Sequence, residues 1–438
     1  MISKTKIDLQ IEKVGEGTIT SPLKEKNKTI QFVSDDSKVL FEIFSHDYHR
    51  YSQEGGEPPA AEAAGPREKI YFDPATTKAA IVTCGGLCPG LNDVIRGIFI
   101  ELYYEYGVKE IYGVRNGYAG FIEGKGQGLI QLTPERIEDI HEKGGSVLGS
   151  SRGKQDSADI VDFLLKENFN LLFVIGGDGT MRGAIDIAEE TIKKNAKISV
   201  IGIPKTIDND ILHLDRTFGI ITAVQEAMRA IQCVHTEARA YPDGIGIVQL
   251  MGRHSGFIAA AAAVAQPDVN FVLIPESPFQ LTGENGLLNC LKRRLKTTDH
   301  AVIVVAEGAG QEFFKDMPEE KDASGNVLNK DIGVFLSDQI KAFFKKEGKD
   351  ASIKYVCPSY MVRGVPACAM DRIYCTRLAQ DAVHAAMSGR TKMIVGARHA
   401  KFVHIPMAMI TQGRRYVDLN GDLWNTVLGL TGQPFKMC

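Results

Sequence analysis

Residues 173–184 read FVIGGDGTMRGA, a buried strand running into a loop of glycines with one carboxylate and one hydroxyl. Gly176, Gly177 and Gly179 allow backbone conformations and close approaches that a Cβ forbids. Gly179 in particular leaves bare backbone where a large phosphate can lie. Asp178 is the only carboxylate in the loop. A phosphate donor brings several negative charges, so a lone aspartate beside it needs a divalent cation in between, and Asp178 is a candidate Mg2+ ligand. An aspartate capping the following helix is the plainer alternative. The spacing G-x-G-x-x-x-G is one residue longer than a dinucleotide-binding fingerprint.

Outward from this stretch the chain alternates between apolar runs and helical spacing. AAIVTC, LLFVIG, ISVIGI, IGIVQL, FVLIP and AVIVVAEG read as fully buried strands. In PGLNDVIRGIFIELYYEYG, Leu91, Val94, Ile95, Ile98, Phe99 and Leu102 fall on one helix face, and Gly107 supplies a stop. Such alternation predicts parallel sheets with helices on both faces, and ligands then bind beyond the carboxyl ends of the strands. The fold class expected is α/β. At 438 residues the chain exceeds the size at which single cores stop growing, so two domains are expected. Residues 1–50 hold strand-like pieces, TIQFV and KVLFEIF, and 51–68 is rich in Gly, Pro, Ala and Glu, which reads as linker. Residues 1–72 are therefore an extension to a catalytic body.

Other loops follow the strands. TCGGLCPGLND has the glycine spacing of a P-loop at Gly85 and Gly90, but Leu91 and Asn92 stand where Lys and Ser/Thr are needed, which excludes a Walker A site. A glycine turn feeding a helix amino terminus remains, and that favours an anion. In PKTIDND, Thr206, Asp208 and Asp210 share a side if the backbone is extended. Neighbouring carboxylates raise the proton affinity of one, which suits a general base; a turn built from Asp and Asn is the alternative. Lys205 brings a cation beside these acids. Arg253 in LMGR can fork onto phosphate or sugar oxygens, and Glu307 in AEG can accept from sugar hydroxyls. SYMVRG supplies Tyr360 and Arg363, and VLGSSRGK supplies Arg152 beside two serines.

Composition narrows the class. Apolar content of 44% and charged content of 24% are those of an ordinary globular protein, and the net charge of −3 argues against general nucleic-acid binding. The eight cysteines form no C-x-x-C pair, which argues against zinc and for reduced thiols in a cytosolic protein. MISKTKIDLQ lacks the apolar core of a signal peptide, and no run of about 18 apolar residues suggests a membrane span.

Taken in order, CGGLCPGLN, GGDGT, PKTIDND, LMGR, AEG and SYMVRG resemble the 6-phosphofructokinases, and within them the long-chain branch that pairs GGDGT with PKTIDND. The resemblance covers roughly residues 73–400. NAD kinases and lipid kinases share GGDGT but not the other motifs. The resemblance implies two three-layer domains with mainly parallel sheets and the active site in the cleft between them. Residues 73–220 would form the donor domain, 221–361 the sugar-phosphate domain, and 362–438 a segment packing back across both. It further implies Asp208 as the base for the 1-hydroxyl of fructose 6-phosphate, with Thr206 orienting that hydroxyl and Ile207 between them. Asp178 would hold Mg2+; Gly86, Gly177, Gly179 and Thr180 would line the donor phosphates. Arg152, with Gly153 beside it, would stabilise the transferring group. Met251, Gly252 and Arg253 would hold the sugar, Glu307 its hydroxyls, and Tyr360 with Arg363 the 6-phosphate. A homodimer or homotetramer in the cytoplasm, regulated allosterically, with no nucleic-acid or membrane partner, is implied too. The chain departs from short bacterial members, which have a histidine at Tyr360, an arginine at Lys354, and an arginine borrowed from a neighbouring subunit at Gly244.

The resemblance leaves the donor to be decided at Gly179 and Lys205. Pyrophosphate users have aspartate in place of Gly179 together with the lysine; ATP users have glycine at both. Aspartate at 179 would put bulk and negative charge where the α-phosphate of ATP must pass, whereas a lysine can reorient. ATP is therefore the expected donor, and pyrophosphate the alternative.

Overall fold

The computed structural model describes residues 7–26, 29–53, 56–321 and 327–438. The chain divides into two compact units. The first takes the chain up to Thr206, then Ile211–Phe218 and Pro366–Arg414; the second takes Ile207–Asp210, Gly219–Val365 and Arg415–Cys438. The division is not into consecutive blocks: of the segment expected to lie across both domains, 362–438, the first unit takes Pro366–Arg414 and the second the rest.

The first unit is built on a nine-stranded sheet. Its order is Lys38–Leu40, Ala60–Ala63, Lys401–Pro406, Met393–Arg398, Ser199–Pro204, Leu171–Gly176, Lys78–Thr83, Glu110–Val114 and Leu129–Gln131. The five strands from Met393–Arg398 to Glu110–Val114 run parallel, and the outer ones antiparallel. Every residue of Leu171–Gly176 and Ser199–Pro204 is buried, as a strand covered on both faces requires. Val82, Leu172, Val174 and Val200 share a core with helices Ser157–Lys166 and Asp178–Lys193. Helix Ala369–Met387 packs against Leu91–Ile100 so closely that a Cβ at Gly97 would sit 2.6 Å from that of Ala379. Beyond Ile100 the helix tightens no further; it widens into a π-helical stretch, Glu101–Tyr106, closed by Gly107 at φ +85°.

Pairing register sets the geometry that matters. Thr83, Ile175 and Ile203 lie level across three adjacent strands. The hydrogen bonds Cys84 N–H to Ile175 O and Lys205 N–H to Gly176 O carry the alignment one residue further. The loops at 84–90, 177 and 205 thus leave the sheet at one end.

The amino-terminal residues contribute more than an appended extension. Of residues 1–72, positions 1–6, 27, 28, 54 and 55 lie outside the described set. TIQFV is not a strand, and only Lys38–Leu40 of KVLFEIF is. The stretch 51–68, expected as linker, instead contains the strand Ala60–Ala63, hydrogen-bonded on both sides. Charge pairing holds it there, where side-chain hydrophobicity gives no signal. The buried Arg390 guanidinium donates to Glu62 through Nε and Nη2, both at 2.7 Å, to Asp35 at 2.7 Å and to Ser388 Oγ at 2.7 Å. His404 Nδ1 lies 2.7 Å from the same Glu62 carboxylate, and Arg67 donates to Asp35 at 2.9 Å. Burial alone would raise the Glu62 carboxyl; the hydrogen bonds from Arg390 and His404 hold it well below the carboxylate range instead.

The second unit carries a parallel four-stranded sheet in the order Phe271–Leu273, His300–Ala306, Gly244–Leu250, Ile353–Val356. Leu250 pairs with Ala306 and Val248 with Val356, so the loops carrying residues 251–255, 307–310 and 357–363 leave together. Ile245, Ile303, Leu287 and Leu336 belong to its core, with helices Leu287–Arg294 and Ile332–Lys346. Among the described residues no helix is long and apolar enough to cross a membrane.

Replacing Arg390 by methionine should strand Glu62 as a buried charge and remove about 3–5 kcal/mol of stability, read by denaturant unfolding. The same measurement across pH should show stability falling between pH 6.5 and 4. Burial holds the His404 imidazole down to about 4 in the folded chain. An unfolded histidine protonates near about 6.5, so acid favours the unfolded chain across that window.

Candidate active site

The first unit gathers the residues expected on the donor side around the start of one helix. Asp178, Gly179 and Thr180 belong to the first turn of the helix Asp178–Lys193 rather than to a loop, with Gly177 as its cap. The first bond back along the helix, Met181 N–H to Gly177 O at 2.9 Å, leaves the preceding amides pointing out of the helix end, where the dipole favours an anion. Gly179 has ordinary φ, and a Cβ there would meet nothing within 4 Å. Neither backbone strain nor packing calls for glycine, which costs about 0.5–1 kcal/mol against alanine inside a helix. What glycine provides at this point is open space.

Gly85 is a glycine of the other kind. It sits at φ +83°, its amide donates to Ser151 O at 3.2 Å, and its carbonyl accepts from Ser150 Oγ at 2.6 Å. These bonds bring the Arg152–Gly153 loop beside the glycine turn; Arg152 is exposed, and Gly153, at φ +96°, faces open space. Buried Lys205 donates through Nζ to the Gly86 carbonyl, and a Cβ on Gly85 would lie 3.5 Å from that Nζ and 4.0 Å from Thr180 Oγ1. Gly86, Gly177, Thr180 and Lys205 are thus neighbours, as the strand register demands. The Asp178 carboxylate is divided. Oδ2 meets Arg182 at 3.1 Å and Arg414 at 3.6 Å, while Oδ1 is buried without a hydrogen-bond partner. Among the described residues no three His, Cys, Asp or Glu side chains form a metal cage. One carboxylate with an unmet oxygen is what Mg2+ needs when donor phosphates and water complete its shell, so the residues fit this ion.

PKTIDND spans the two units: Thr206 belongs to the first, Asp208 to the second. The Thr206 carbonyl accepts from Thr217 Oγ1 at 2.6 Å. The expected extended phasing of Thr206, Asp208 and Asp210 does not hold throughout, because Asn209 takes φ +57° and turns the chain. Asp210 is buried and its carbonyl accepts from the Arg415 amide at 2.8 Å; Ile207 is buried as well.

The second unit gathers the sugar-side residues. Ser255 Oγ donates to the Asp208 carbonyl at 3.0 Å, tying the base loop to the loop of Met251, Gly252 and Arg253. Gly252, at φ +133°, has no room for a Cβ, which would lie 2.5 Å from Ser255 O. Backbone bonds from Glu307 to Leu250 O and from Gly308 to Gly252 O join the neighbouring loop to it. Burial pushes the Glu307 carboxyl upward, while the Arg253 and Arg363 guanidiniums pull it down, so all three charges converge. The Arg363 guanidinium lies 5.2 Å from the Tyr360 ring, and Tyr360 is 76% exposed. Gly244 admits no side chain, since a Cβ would stand 1.9 Å from Ala238 O; Lys354 lies over the Tyr241 ring at 4.2 Å. Sequence reasoning missed Arg182 and Arg414. Arg182 was legible as an i+4 partner of Asp178; nothing marks Arg414.

A helix amino terminus without a capping side chain and a cluster of arginines, tyrosine and glutamate at strand ends are the features of an α/β protein that binds anions. The phosphofructokinase family model matches residues 78–386, and the chain belongs to that family. An ATP-dependent 6-phosphofructokinase of Borreliella burgdorferi is 46% identical over 447 residues, covering 100% of this chain and 99% of its own. One of Entamoeba histolytica is 44% identical over 424 residues, covering 96% and 94%. A solved pyrophosphate-dependent phosphofructokinase of Marinobacter aquaeolei superposes with a TM-score of 0.66 at 19% identity, over 81% of this chain and 91% of that one. The last likeness concerns the fold alone.

Gly179→Ala should keep or raise the melting temperature, because alanine suits the helix and meets open space, yet raise KM for the phosphoryl donor. Gly176→Ala, whose Cβ would lie 2.4 Å from Thr180, should lower the melting temperature. A destabilised Gly179→Ala protein would contradict the reading of residue 179 as space held for a ligand.

Proposed function

We propose that this chain transfers the γ-phosphoryl group of ATP to the 1-oxygen of D-fructose 6-phosphate, giving fructose 1,6-bisphosphate and ADP in glycolysis. The observation that carries the choice of donor is the open space at Gly179 in the first turn of an anion-facing helix. A nucleoside triphosphate needs that volume for its α-phosphate. Lys205 suits a pyrophosphate too, but its ammonium is drawn back onto the Gly86 carbonyl and so need not obstruct a longer donor. The two full-length relatives named above as ATP-dependent enzymes support the same choice.

Transfer is in line, and catalysis is mostly positioning and charge stabilisation. Asp208 accepts the proton of the 1-hydroxyl while Thr206 orients that oxygen. Arg152 offsets charge on the transferring group. Arg253 and Glu307 bind the sugar hydroxyls, and Tyr360 with Arg363 the 6-phosphate. Asp178 would hold Mg2+, which neutralises charge on the donor phosphates. In short bacterial members a borrowed arginine completes the 6-phosphate pocket, and the backbone at Gly244 has no room for a side chain in that role. Assembly as a homodimer or homotetramer in the cytoplasm belongs to the same proposal. It rests on membership of the family.

Asp208→Asn should lower kcat by ~10²–10⁴ with little change in KM for fructose 6-phosphate, measured in a coupled assay with ATP and Mg2+. Turnover near that of the parent enzyme would remove Asp208 from the base role.

A further inference from the structure

Asp178 is the only proposed metal ligand, yet its surroundings within the chain are already cationic. Arg182 stands one helical turn on, and its Nη2 lies 3.1 Å from Oδ2. Arg414 Nη2 approaches the same oxygen to 3.6 Å from the returning carboxyl-terminal part of the first unit. Oδ1 remains buried and unsatisfied. A buried acceptor without a protein donor is a cost, and a bound ion is one of the things that offsets it. The two guanidiniums more than offset the carboxylate charge but leave one of its oxygens unmet.

Adding a divalent cation to this arrangement would crowd three positive groups onto one carboxylate. The repulsion is relieved if the guanidiniums move to another anion at the same helix end. Arg182 is suited to this, because 63% of its side chain is exposed and it can swing without disturbing the core. A guanidinium fork also binds phosphate oxygens bidentately. We propose that Arg182 and Arg414 are exchange partners: they neutralise Asp178 in the donor-free enzyme and pass to the donor's phosphate oxygens as the carboxylate turns to the divalent ion. The inference rests on the reading of Asp178 as the metal carboxylate. It makes the cation and the donor bind cooperatively, because each removes an obstacle to the other. The two arginines are positioning residues for the metal carboxylate and binding residues for the donor.

The test separates metal from donor. Mn2+ alone is titrated into the full-length protein and followed by electron paramagnetic resonance; ATP with excess EDTA is titrated by calorimetry. Arg182→Gln and Arg414→Gln should each bind Mn2+ alone about three- to tenfold tighter, because a like charge beside the ligand is gone. The double variant should bind metal-free ATP at least about tenfold more weakly, having lost two phosphate contacts. Arg414→Lys keeps the charge but not the fork, so its Mn2+ affinity should stay near that of the parent while ATP binding weakens. A merely structural role would weaken both ligands together, and that result, or no detectable Mn2+ binding in any variant, overturns the exchange. Asp178→Asn marks where a failure lies. If Mn2+ binds it as well as the parent, the metal role of Asp178 fails; if Mn2+ binding is lost but the arginine variants do not tighten it, only the exchange fails.

Discussion

Lateral pairing of Lys78–Thr83, Leu171–Gly176 and Ser199–Pro204 is the constraint on which the donor side depends. Because Thr83, Ile175 and Ile203 are level, the glycine turn, the start of the helix at Asp178 and Lys205 emerge beside one another. A shift of one residue would send each side chain to the opposite face and separate Lys205 from Gly86. The glycines then divide by task. Gly85 and Gly252 are required by positive φ, Gly97 by a helix passing 2.6 Å from its would-be Cβ, and Gly179 by neither. Its conformational freedom is surplus to the fold, which is why it points to a ligand.

Electrostatics complete the site without bulk charge. A chain of net charge −3 does not draw polyanions to itself, so the attraction must be local. A helix amino terminus, Lys205 held on a carbonyl and Arg152 on an adjoining loop supply it in the first unit. In the second, Arg253 and Arg363 converge on Glu307. Single carboxylates, Asp178 and Glu307, are each flanked by two arginines. In the proposed site this pattern would keep an acid for a cation or a hydroxyl in surroundings favourable to phosphate.

Much of this was legible in the sequence, for a physical reason. Parallel strands covered on both faces must be continuous apolar runs, and all six quoted runs form strands. Loops after such strands are where ligand residues are expected, and the motifs stand in those loops. What escaped notice depends on long-range pairing. Ala60–Ala63 has the composition of a linker, and its place in the sheet comes from Glu62 meeting Arg390, 328 residues away. Arg414 reaches Asp178 only through the tertiary fold. The left-handed Asn209 broke an alternation that assumed extended backbone, since asparagine tolerates that region and the sequence alone does not say when it will be used.

Donor choice remains the central claim, and it rests on one volume. Pyrophosphate-dependent and ATP-dependent members share the fold, so the fold cannot discriminate; a side chain at residue 179 can. The most direct measurement is kcat/KM for ATP, and in parallel for pyrophosphate, in a correctly folded Gly179→Asp enzyme. The account predicts that ATP turnover collapses as the carboxylate fills the space above the helix end. Parent-like kcat and KM for ATP in that variant would contradict it.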